Sequence, residues 1–146
     1  MPIEDIHLEA LDRYNWELCL DLRLSPEQEA FVPSVLYSLA QSRFEQLTPY
    51  GIRAGGHMVG FIMYGTFGQI CWINRVLVDH AHQGKGIGQS AVRQLIALLQ
   101  RQHSCREIRT SHAAENAAAA AFFGGLGFVP VAEPLEDEVV LRWEGM

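Results

Sequence analysis

Residues 73–88 read Ile73-Asn74-Arg75-Val76-Leu77-Val78-Asp79-His80-Ala81-His82-Gln83-Gly84-Lys85-Gly86-Ile87-Gly88, and this stretch decides the fold. Its first half closes an apolar run from Ile70 to Val78, the pattern of a central strand covered on both faces. Its second half places glycine at three alternate positions and passes directly into a helical period: Val92, Leu95, Ile96 and Leu99 recur on one face to about Gln102. Glycines let backbone N–H groups converge without Cβ obstruction. A helix start adds unpaired donors and partial positive charge. Strand, glycine turn and helix together make a cradle for a phosphorylated ligand, with Lys85 beside it as a cation. The turn is no P-loop, because Gly-x-x-x-x-Gly-Lys-Ser/Thr occurs nowhere in the chain. Its Gly-x-Gly-x-Gly spacing also departs from the dinucleotide fingerprint. On the glycines alone, a plain strand–helix turn remains open beside the phosphate reading.

Outward from this turn the pattern is α/β. Ile3–Leu8 alternates as a first strand, and Trp16, Cys19, Leu20 and Leu22 space a short helix. Ser25-Pro26-Glu27-Gln28 is a capping-box start for a helix expected to run to about Arg43, burying Phe31, Val35, Leu36 and Leu39. Tyr50–Arg53 and His57–Tyr64 form a hairpin about Gly55-Gly56. A turn at Thr66–Gln69 leads to the central strand. After the glycine turn and its helix come a strand at Ile108–Ser111, a helix at Glu115–Leu126, and strands at Phe128–Val131 and Glu138–Trp143. The expected order is β-α-α-β-β-β-α-β-α-β-β, one domain over residues 1–146 with a mixed central sheet flanked by helices.

Composition excludes several classes. With 49% hydrophobic and 19% charged residues the chain is no disordered segment. A net charge of −6 argues against nucleic-acid binding, which needs a basic face. Acidity suits a cationic substrate, or serves solubility alone. The N-terminus has neither the basic nor the apolar region of a signal peptide, and the apolar run at Met58–Tyr64 is too short to span a bilayer. Cys19, Cys71 and Cys105 match no disulfide framework or zinc site and read as small hydrophobes in a reducing cytoplasm. Asp79-His80-Ala81-His82 lacks a third ligand in register, so no metal is expected.

Gln83-x-x-Gly86-x-Gly88 after an apolar strand resembles the acetyl-CoA motif of the GCN5-related N-acetyltransferases. Glu115-Asn116, an alanine-rich helix and Leu126-Gly127-Phe128 match that family's next segment in order. Asn15-Trp16, Ser25-Pro26-Glu27-Gln28, Phe31-Val32, Ser38-Leu39-Ala40, Gly60–Gly65 and Trp72-Ile73-x-Arg75 are similar to the bacterial diamine and spermine/spermidine N-acetyltransferases within it. The resemblance implies an acetyl-CoA-dependent transfer to a primary amine by direct attack in a ternary complex. It assigns the CoA contacts to Val76, Leu77, Val78, Gln83, Gly84, Lys85, Gly86, Ile87, Gly88, Gln89, Asn116 and Phe123. Val76–Val78 are to pair with the pantetheine arm like a strand, with the Val78 N–H polarising the thioester carbonyl.

This chain departs from the family pattern in two places. Phe123 stands where many relatives carry a tyrosine acid, and Gln89, Ser90 and alanines stand where relatives often carry cations, leaving Lys85 and Arg93 for the phosphates. His112, at a strand end where close relatives tend to have tyrosine, is the candidate base, beside its alternative as a structural histidine. Asp21, Glu27 and Glu29, on the helices that wall the acceptor site in this family, are candidates for a polyamine, beside the alternative of a solvated helix face. Another amine acceptor (an amino acid, an antibiotic, a protein terminus) and a catalytically weak CoA-binding regulatory domain stay open. Dimers are common in the family, and the apolar residues near Trp143 are the candidate surface.

Overall fold

A computed structural model describes residues 5–133 and 135–145. One seven-stranded mixed sheet organises them, in the order β1-β2-β3-β4-β5-β7-β6. The strands are β1 (Ile6–Ala10), β2 (Thr48–Ala54), β3 (His57–Phe67), β4 (Ile70–Val78), β5 (Glu107–Ala113), β6 (Phe128–Pro130) and β7 (Glu138–Trp143). All neighbours pair antiparallel except β4 and β5, which are parallel and joined through a helix. The helices are α1 (Pro26–Glu29), α2 (Val35–Phe44), α3 (Ile87–Gln102) and α4 (Ala117–Gly124). Short 3-10 turns span Trp16–Asp21 and His80–His82. The first strand begins at Ile6 and ends at Ala10, two residues past its predicted end, and Ile3 and Glu4 of that expectation fall outside the described residues.

The sheet separates two apolar layers. On one face α3 presents Ile87, Ala91, Val92, Leu95, Ile96 and Leu99 to Ile52, Ile62, Ile73 and Leu141. On the other, Cys19, Leu22 and Val35 from the N-terminal helical segment cover Phe61, Met63 and Leu77. β4 serves both layers: Cys71 and Ile73 face the first and Leu77 the second. A register shift opposite Met63/Tyr64 makes the change of face possible.

Three sequence expectations are corrected. The helix from Ser25 to Arg43 is two helices, α1 ending at Glu29 and α2 starting at Val35. Pro33 has no N–H and bars helical geometry at the residue before it. Ser34 then caps a fresh start, its Oγ accepting from the Tyr37 N–H at 3.1 Å. The break rotates α2, so Val35 is buried while Leu36 is 61% exposed and Phe31 39%.

Cys71 and Cys105 are not separate hydrophobes. They form a disulfide, Cα–Cα 5.8 Å, between the start of β4 and the loop before β5. Only Cys19 is free among the described residues, and burial pushes its thiol up to about 11. The apolar residues near Trp143 are exposed only in part: Val129 is 38% exposed, whereas Trp143 packs on the core and its Nε1–H donates to the Leu126 carbonyl at 3.1 Å.

Candidate active site

The pairing of β4 with β5 runs from Ile70↔Glu107 to Ile73↔Thr110 and stops. The Thr110 hydroxyl closes this last rung by donating to the Ile73 carbonyl at 2.8 Å. Beyond it the parallel strands splay, because β5 continues along β7 as far as Ala113↔Glu138 while β4 stays with β3 as far as Val78↔Gly60. The split is a groove of about 750 Å³.

One wall is the exposed edge of β4, residues Val76, Leu77 and Val78. Val78 turns its carbonyl away from β3, where it accepts from Gln83 Nε2 at 3.1 Å. In a strand the N–H and C=O of one residue point the same way, so the Val78 N–H also faces the split. The opposite wall is β5 and α4, with His112, Asn116, Phe122 and Phe123. The floor at one end is the glycine turn with Gln83, Gly84, Gly86, Ile87, Gly88 and Gln89.

The turn has the geometry of an anion cradle. Gly84 and Gly86 adopt φ of 79° and 78°, the left-handed region that glycine enters without strain. Gly86 is the N-cap of α3 and provides no side chain, so the cap N–H groups of a 16-residue helix are left for a ligand. Gly88 gives close packing instead: a Cβ there would lie 3.1 Å from the Phe122 ring, which would have to shift by a few tenths of an ångström.

Gln83 also ties elements together. Its Nε2 also donates to Gln28 Oε1 at 2.6 Å, tying α1 to the turn. Asp79 secures the same segment: its Oδ1 accepts from the Arg23 N–H at 2.8 Å, and the His80 N–H donates to the Arg23 carbonyl at 2.7 Å. Burial pulls the Asp79 carboxyl upward, but the N–H groups of Arg23 and Ala81 and the His82 imidazole outweigh it and hold the pKa below its ordinary value. The Asp79–His82 stretch is therefore a docking turn, and no cluster of three metal-ligating side chains exists among the described residues.

His112 is 9% exposed, with Nδ1 2.8 Å from the Ala113 carbonyl. That contact places the proton on Nδ1 and leaves Nε2 as the basic nitrogen. Asn116 is the N-cap of α4, its Oδ1 accepting from the Ala119 N–H at 3.1 Å, so the helix begins after Asn116 and not at Glu115. Phe123 packs edge-on to Phe122 and Phe128.

Three expected site residues lie elsewhere: Asp21, Glu27 and Glu29 are exposed and do not line the groove. Lys85 keeps its place in the glycine turn, exposed between the lining residues Gly84 and Gly86. The far end is built from Trp72 and Arg75, which the sequence marks only as family-like, and from Asn74, Ser111 and Glu138, which no motif assigns to a site. Arg75 donates through Nε to Ser38 Oγ at 2.9 Å, through Nη1 to its neighbour's carbonyl at 3.0 Å and through Nη2 to Gln41 Oε1. Burial lowers its pKa, but a guanidinium so placed remains a cation. Their signal in the sequence is weak, since Glu138 reaches Ser111 across 27 residues and only through the sheet order.

The acetyltransferase (GNAT) family model matches residues 11–128. The chain belongs to this family. It is an N-acetyltransferase. It is similar to the spermine/spermidine N(1)-acetyltransferase of Bacillus subtilis, 29% identical over 132 residues that span 84% of this chain and 87% of the relative. Similarity to the N-alpha-acetyltransferase RimI of Mycobacterium tuberculosis is also 29%, over 86% of this chain and 79% of that one. The fold matches the PaiA N-acetyltransferase of Thermoplasma acidophilum, solved in complex with coenzyme A, with a TM-score of 0.72, 14% identity and coverage of 95% and 98%.

Proposed function

We propose that this acetyltransferase binds acetyl-CoA in the β4–β5 split and acetylates the primary amine of a polyamine or a similar small amine. The observation that carries the reading is the end of the ladder at Ile73↔Thr110, which opens a strand edge directly onto the uncapped start of α3. The residues fit the cosubstrate: an anion cradle at Gly84–Gly88, an apolar wall at Phe122 and Phe123, and an unpaired strand edge for an amide-bearing arm. Bound there, acetyl-CoA supplies an activated acetyl group and a thiolate leaving group of pKa about 8.5, if it behaves as a cysteine does.

The chain's own groups do the rest. The Val78 N–H, aimed into the split, donates to the carbonyl oxygen where negative charge develops. His112, with Nδ1 engaged by Ala113, offers Nε2 to take the proton that an alkylammonium of pKa about 10 must lose before it attacks. Phe123 offers no hydroxyl, which a leaving group of that acidity tolerates. The polyamine acceptor is supported by the B. subtilis relative. The mycobacterial relative, also 29% identical, favours a second reading, the α-amine of a protein terminus.

Free-thiol release from acetyl-CoA across a panel of amines tests this. Release with spermidine or spermine, and not with amino-terminal peptides, is expected. Release with peptides alone would move the acceptor to the second reading. Tight CoA binding with no release on any amine would leave a regulatory CoA-binding domain. In parallel, acetyl-CoA should raise the melting temperature and ATP should not. Gly86→Glu, which sets a carboxylate in the cradle, should abolish that rise.

A further inference from the structure

Resting on the acetyltransferase reading, we infer that Glu138 is the specificity-determining anchor for the acceptor's ammonium, with Ser111 setting its orientation. Among the described residues that line the groove, Glu138 is the only carboxylate. It begins β7, opposite Ala113 at the mouth of the split, and its Oε1 accepts from Ser111 Oγ at 2.6 Å. A carboxylate that takes one neutral donor keeps its charge and most of its acceptor sites for a cation.

The nearest cation in the groove does not neutralise it. Arg75 feels Glu138 electrostatically, yet its guanidinium is held by the neutral groups Ser38, Gln41 and the Asn74 carbonyl. No ion pair joins Glu138 to any cation among the described residues. The groove thus carries one carboxylate outside any ion pair and one guanidinium held by neutral groups. Glu138 draws an ammonium toward the split, and Arg75 repels it from α2. The attacking amine thus approaches along the β5–β7 side, where His112 also stands. The exposed acids at Asp21, Glu27 and Glu29 lie off this path.

The test is steady-state kinetics of Glu138→Gln, which keeps an acceptor for Ser111 and removes the charge. The expected result is a KM for spermidine raised 5- to 20-fold, with the KM for acetyl-CoA and the melting temperature unchanged. Wild-type KM for spermidine should climb with salt, and the Gln variant should lose most of that dependence. Calorimetric titration of spermidine into the CoA-saturated protein should show the same loss of affinity. Ser111→Ala should raise the amine KM by a smaller factor. An unchanged amine KM and salt response in Glu138→Gln, with the wild type active, would overturn the inference alone. A wild type that neither binds acetyl-CoA nor releases thiol would overturn the acetyl-transfer reading beneath it.

Discussion

At the scale of single residues, backbone conformation and charge decide what each position tolerates. Gly86 caps α3 at φ 78°, so Gly86→Ala should cost about 1–2 kcal/mol from the left-handed conformation alone. Acetyl-CoA affinity should fall further than stability, as titration calorimetry beside a melting curve can show. Asp79 is a second case. Its pKa is depressed in the folded state, so its contribution is fully present above the ordinary value of 3.8 and fades as pH falls through the folded value. Asp79→Asn should therefore lower stability by about 1 kcal/mol at pH 7, and by progressively less in urea melts taken below pH 3.8. The residues of the glycine turn were legible because their chemistry is local: glycines, a preceding strand and a following helix are consecutive. Ser111 and Glu138 were not, since nothing local marks a serine and a glutamate that only strand order brings within 2.6 Å.

At the scale of elements, the covalent link between Cys71 and Cys105 closes a loop of sequence separation 34. That loop contains all of β4 after Ile70, the glycine turn and α3, the whole of the proposed phosphate-binding unit. Restricting such a loop in the unfolded chain is worth about 3–4 kcal/mol. Cys71→Ala/Cys105→Ala should lose roughly that amount in denaturant titration, and a reductant should leave the double variant unaffected. The pairing escaped sequence reading because it depends on β4 and β5 lying side by side. The break between α1 and α2 was different: Pro33 followed by Ser34 is a local stop and restart, and the apolar spacing of Phe31, Val35 and Leu39 masked it. The α/β order itself was readable, since periods of two and of 3.6 persist through most elements. The interposition of β7 between β5 and β6 was not, because no local pattern encodes which strands are neighbours.

At the scale of the whole molecule, cysteine accounting gives a compact check on the assembled fold. In non-reducing buffer the native protein should show no thiol reactive to an aromatic disulfide reagent, Cys19 being fully buried. Denaturation without reductant should reveal one, and denaturation after reduction three. A native count of two or three would contradict the Cys71–Cys105 link. The same background of zero makes thiol release a clean readout of acetyl transfer by this enzyme.

The early end of the β4–β5 ladder has a further consequence. Most sheets hide their unpaired backbone at the rim, where charges or loops discourage pairing with other chains. Here the unsatisfied stretch lies inside the sheet, between two strands that belong to one layer. In the proposed complex an extended ligand lying along the groove completes the layer. A ligand that finishes the sheet also covers an unpaired strand edge, the kind of surface on which chains aggregate. Acetyl-CoA should therefore delay heat-induced light scattering by more than its shift in melting temperature accounts for.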